Sequence, residues 1–113
     1  MRSGFDGLRL RIFIHESQHH GRQPLYKHLV ECARGEGLAG ATVFRGMEGY
    51  GHHRHVHTSR LVDTADDLPM IVEIIDRPEA IRRFIGLLDS VVEHGTATVS
   101  PVHIVKYAAG RRT

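Results

Sequence analysis

A chain of 113 residues, 41% hydrophobic and 25% charged, fits one globular domain with a modest core. A formal net charge of +2 and the absence of tryptophan argue against a polybasic, base-stacking surface, so no nucleic-acid partner is expected. The single cysteine, Cys32, excludes an intrachain disulfide and suits a reducing cytoplasm; no apolar run is long enough for a signal peptide or a membrane span, so no direct membrane insertion is expected.

Residues 1–7 read as a flexible N-terminal tail and residues 108–113 as a C-terminal one, leaving a domain over 8–107. From Leu8 to His15 the chain alternates, with Leu8, Leu10, Ile12 and Ile14 facing one way and Arg9, Arg11, Phe13 and His15 the other. That period of two predicts the first strand. Glu16–Gln23 is polar and reads as a loop carrying His19 and His20. Pro24 then opens a helix, where its missing N–H costs nothing. Leu25, Leu29 and Ala33 form its apolar row, with Tyr26 and Val30 beside it, and Gly35 and Gly37 stop it. Cys32 packs on this helix as a small apolar residue, with His28 at i,i+4 spacing.

Ala41–Arg45 predicts a second, short strand. His55–Val62 has thin extended character, and Asp63–Asp67 reads as a polar turn. Pro69 leads into MIVEII, a third strand. Asp76 and Glu79 have the spacing of a capping box, with Pro78 in the first turn, and Ile81, Phe84, Ile85, Leu88, Val91 and Val92 mark one helical stripe. Gly95 is expected just past its end. Thr96–Tyr107 is the last strand, where Pro101 predicts an edge position or a bulge.

The order β-α-β-β-α-β predicts an α+β fold of the ferredoxin-like type: a four-stranded antiparallel sheet with two helices on one face. Two helices cover one face only. Yet Ile71 and Ile75 lie opposite Met70, Val72 and Ile74, and Val102 and Ile104 lie opposite Val99, Val105 and Tyr107. Apolar residues on both faces predict a homo-oligomer whose sheets face inward.

The stretch GMEGYGHHRHVHTS, from Gly46 to Ser59, carries the densest chemistry. Its glycines have neither the Walker A nor the dinucleotide pattern. Two readings stand: a backbone nest for an anion, with Arg45 supplying charge, or a sharp turn. The histidines also divide. On an extended chain His53, His55 and His57 share an edge, a donor set for Zn, Ni or Cu, with His52 opposite. The other reading is a solvated, pH-sensitive tip: the chain holds ten histidines, and mild acid would add their charge to the net +2. No Ser/His/Asp or Cys/His pattern points to catalysis, and an enzyme is not expected.

LYKHLVECARGEGLAGATVFRGMEGYG and DLPMIVEIIDRPEAIRRFIGLLDSVVEHGTATVSPVHIVKY resemble the domain of unknown function 190 (DUF190) family over about Leu8 to Tyr107. That family is similar to the PII nitrogen-regulatory signalling proteins. The resemblance implies a ferredoxin-like homotrimer that binds an adenine nucleotide or other small anionic ligand in clefts between subunits. A mobile T-loop then reports to a partner, a membrane transporter or channel, or an enzyme. Gly49-Tyr50-Gly51 matches the PII GFG motif, Leu68-Pro69 matches its LP, and 52–67 occupy the T-loop position. The ligand-binding residues so implied are Arg45, Gly46, Gly49, Tyr50, Gly51 and His53. Two positions depart from the PII pattern. His53 stands where PII proteins carry a glutamine, and EHGTATVS has no lysine or arginine where they carry a Gly/Lys-rich phosphate loop. The readings from another class are a divalent-metal protein using His53, His55 and His57, and a purely structural oligomer.

Overall fold

A computed structural model of the chain describes residues 2–49, 57–58 and 67–107. In chain order the elements are β1 (Arg2–His15), β2 (His19–His20), β3 (Gln23–Pro24), α1 (Leu25–Gly35), β4 (Thr42–Arg45), β5 (Glu48–Gly49), β6 (His57–Thr58), β7 (Pro69–Asp76), α2 (Pro78–Val91) and β8 (Thr96–Tyr107). The main sheet runs β4-β7-β1-β8, with antiparallel pairing throughout. Two short ladders, β2 with β3 and β5 with β6, stand apart from it. This is the ferredoxin-like arrangement predicted from element order.

The register aligns the apolar alternation of neighbouring strands. Leu10 faces Ile74, Ile12 faces Val72 and Ile14 faces Met70 across β1 and β7, and all six are buried. The stripes of α1 (Leu25, Leu29, Ala33) and α2 (Ile81, Phe84, Leu88) close over that face. Each large side chain so buried contributes roughly 1.5–3 kcal/mol relative to exposure. Tyr26, Val30 and Cys32 pack against this core from its edge. Beside Cys32 the His28 Nε2 lies 3.4 Å from the sulfur, and the His20 ring stacks on His28 at 3.9 Å. Burial, then the charges of Glu36 and Glu31, push the Cys32 thiol pKa up.

The opposite face is apolar and open. Phe13 and Phe44 both pair with Ile71, so the three form a row across β1, β7 and β4. Phe13 is 37% exposed, Phe44 47% and Ile75 38%. On the same face Arg11 Nε donates to Glu73 Oε2 at 2.7 Å.

Three expectations change. First, residues 2–7 continue β1 and pair with Val102–Tyr107 where a tail was expected. The apolar alternation lapses there because glycines are needed for close approach: a Cβ on Gly7 would lie 2.7 Å from the Asp76 carbonyl oxygen. Second, α2 is capped by Arg77 with no side-chain hydrogen bond, so the capping box does not form. The Asp76 carboxylate is taken up by the backbone N–H groups of Ala39 (2.8 Å) and Arg77 (2.7 Å), which fastens the segment after α1 to the start of α2. Third, α2 ends at Val91 with Val92 as its C-cap, the Val92 N–H donating to the Leu88 carbonyl, so Gly95 does not directly follow the cap and is not the residue that stops the helix. Pro101 sits on the edge strand β8, as its missing N–H requires.

Candidate functional site

At one end of the sheet four segments meet: the turn after β1, the link from β4 to β5, the start of β7, and the connection from α2 to β8. Backbone hydrogen bonds stitch them together. Glu16 N–H donates to the Leu68 carbonyl at 2.8 Å, and Gly46 N–H to the Pro69 carbonyl at 2.7 Å. The Gln18 side-chain amide donates to the His94 carbonyl at 2.9 Å. Asp67 Oδ1 accepts from the Ser17 hydroxyl at 2.6 Å and lies 3.9 Å from His15 Nδ1.

Between these segments, on the uncovered face, lies a cavity of about 470 Å³. That is within the usual range for a small-molecule site. Its apolar lining comes from Phe13, Ile14, Pro69 and Ile71. Its polar lining comes from Glu48, Asp67, His15, His94, Ser17, Gln18 and Thr96, with Gly46, Gly49 and Gly95 completing it. Hydroxyl, amide, imidazole and carboxylate groups therefore share the cavity with apolar side chains.

Gly46 and Gly49, two of the expected ligand-binding residues, line this cavity. The reason for glycine is steric. A Cβ on Gly46 would lie 2.7 Å from Pro69 Cγ, and one on Gly49 3.2 Å from the same atom. Neither glycine has a positive φ among the described residues, so close approach to Pro69 accounts for both. Arg45 is placed elsewhere. It pairs with Met70 on the helix-covered face, and its Nη2 donates to Glu16 Oε1 at 3.1 Å. His57 pairs through its backbone with Gly49 in the β5–β6 ladder. Tyr50, Gly51, His53 and His55 lie outside the described residues. Among the described residues no group of three or more His, Cys, Asp or Glu could hold a metal ion.

Sequence reasoning missed most of the cavity. Phe13, Asp67, Ile71 and His94 are far apart in the chain and are gathered only by the sheet register. A weak signal existed in the polar residues closing each strand end: HESQ after β1, DLP before β7 and EHG before β8.

Residues 7–104 match the family model of DUF190, described as Uncharacterized ACR. The chain belongs to this family. The DUF190 chain is 38% identical over 96 residues to a UPF0166 protein of Aquifex aeolicus, covering 85% of this chain and 90% of that protein. It is 32% identical over 98 residues to a UPF0166 protein of Methanocaldococcus jannaschii, covering 86% of this chain and 90% of the relative. Among solved structures it is similar to CPII, a nitrogen regulatory PII-like protein from Thiomonas intermedia K12 bound to ADP, AMP and bicarbonate. That likeness has a TM-score of 0.69 at 14% identity and covers 90% of this chain and 91% of CPII. At such identity the shared property is the fold, which is PII-like. No helix of the described residues is long and apolar enough to cross a membrane.

Proposed function

We propose that this DUF190 protein is a non-catalytic, PII-like regulator. It works as a homotrimer and binds an adenine nucleotide in the cavity at the base of the histidine-rich loop. Residues 52–67 report occupancy to a partner, a membrane transporter or channel, or an enzyme. Gly46 and Gly49 line the cavity, and Arg45, Tyr50, Gly51 and His53 are the further ligand-binding residues of the proposal. Arg45, through its bond to Glu16, ties β4 to the turn after β1.

One observation carries the reading. The residues where the loop leaves the sheet (Gly46, Glu48, Gly49) and those where it returns (Asp67, Pro69) line the same cavity. An occupant touches both ends at once, so it favours the loop states that fit it, and a preference between states is all that switching requires. The PII-like fold and the nucleotides bound by CPII support adenine as the class. Phe44 and Ile75, exposed on the open face and outside the cavity lining, support assembly through that face of the sheet.

Thermal unfolding with millimolar AMP or ADP tests the proposal. A ligand at 100 times its Kd stabilises the fold by about 2.7 kcal/mol, which shifts the melting temperature by several degrees. Light scattering at micromolar concentration is expected to give the trimer mass. A monomer indifferent to both nucleotides would overturn the reading.

A further inference from the structure

The geometry points to a cation site on α1, apart from the cavity: the Cys32 sulfur and His28 Nε2 chelate zinc or a similar thiophilic divalent ion, with His20 holding the imidazole in place. His28 and Cys32 are four residues apart on the helix, so their side chains rise from one face. The sulfur and Nε2 lie 3.4 Å apart and share a hydrogen bond. Zinc bonds sulfur at about 2.3 Å and imidazole nitrogen at about 2.0–2.1 Å, so a tetrahedral angle puts two such donors about 3.5 Å apart. The pair therefore already has the span of two ligands of one ion, which takes the place of the shared proton.

His20 comes from β2 and stacks on His28, with centroids 3.9 Å apart and planes 7° from parallel. The stack limits rotation of the His28 ring, as the outer partners of a ligating histidine do. Cys32 and His28 are half-buried, so an ion can reach them from solvent. Burial, then the charges of Glu36 and Glu31, hold the thiol pKa up. Those two carboxylates oppose loss of the proton, but they attract a doubly charged ion. Thiolate with imidazole favours zinc over magnesium or calcium. Two protein donors leave the other positions on the ion to water; among the described residues no group of three or more makes a closed set. The ion is therefore exchangeable. None of His20, His28 and Cys32 lines the cavity.

Cobalt titration of the full-length protein tests the site, because a cobalt–thiolate bond gives a near-ultraviolet charge-transfer band that histidines alone do not give. The chain has one cysteine, so the band reports Cys32. Wild-type protein, reduced and then freed of reductant, is expected to show the band and to lose it when zinc is added. The band is expected to persist when His53, His55 and His57 are all changed to Ala. In His28→Ala and His28→Gln, checked for folding by circular dichroism, the cobalt affinity is expected to fall at least tenfold, since even an outer partner of a ligating histidine is worth roughly 10–100-fold. No band from the folded wild-type protein at millimolar cobalt would overturn the inference. So would loss of the band in the triple variant, or unchanged affinity in a folded His28 variant.

Discussion

The two faces of the main sheet are built from the same strands by the same alternation, yet they reach different ends. On one face Leu10, Ile12, Val72 and Ile74 meet α1 and α2 and are at most 1% exposed. On the other, Phe13, Phe44 and Ile75 are between 37% and 47% exposed, with an Arg11–Glu73 ion pair among them. Strand patterning therefore selects which residues share a face, and it does not supply a cover. Two helices close the first face within the chain. The second is left uncovered among the described residues, and in the proposed trimer other copies would cover it.

The sharpest way to break this comparison is to charge the open face. Phe44 and Ile75 lie on it and neither lines the cavity. Phe44→Glu with Ile75→Glu is expected to convert the assembly to a folded monomer, seen by light scattering with unchanged circular dichroism. A variant that stays assembled would place the interface elsewhere. Next in size is the covered face. Phe84, 1% exposed, sits between α2 and the sheet, and Phe84→Ala is expected to cost about 3–5 kcal/mol in urea unfolding. It is best measured in the charged-face background, so that unfolding is not coupled to dissociation. The smallest effect is expected at the cavity end. Gly46→Ala forces a Cβ against the Pro69 ring and is expected to cost about 1–3 kcal/mol, whereas Gly40→Ala, with open space around it, stays within about 0.5 kcal/mol. Equal costs for the two would show that Pro69 yields easily.

How legible each part was depends on where its information lies. The stripes of α1, α2 and β7 are periodic, and Leu25, Leu29, Phe84 and Val72 are buried where the period puts them. The first residues of β1 were hidden because Gly4 and Gly7 serve closeness to β8 and Asp76 instead of burying side chains. Asp76 had the spacing of an N-cap, but its carboxylate is claimed by Ala39, 37 residues away, and no local pattern encodes that. The glycine motif was visible, though its cause was not: Pro69 fills the space a Cβ would need at Gly46 and Gly49. The cavity was the least legible. Its lining pairs Phe13 with Ile71 across β1 and β7, and only the register brings them together.

The contact of Pro69 with Gly46 and Gly49 has one more consequence. It clamps the departing chain against the returning one at the sheet, with the Gly46–Pro69 hydrogen bond beside it. The spacing of β4 and β7 at that edge is thereby set by backbone against a proline ring, with no side chain from Gly46 or Gly49 taking part.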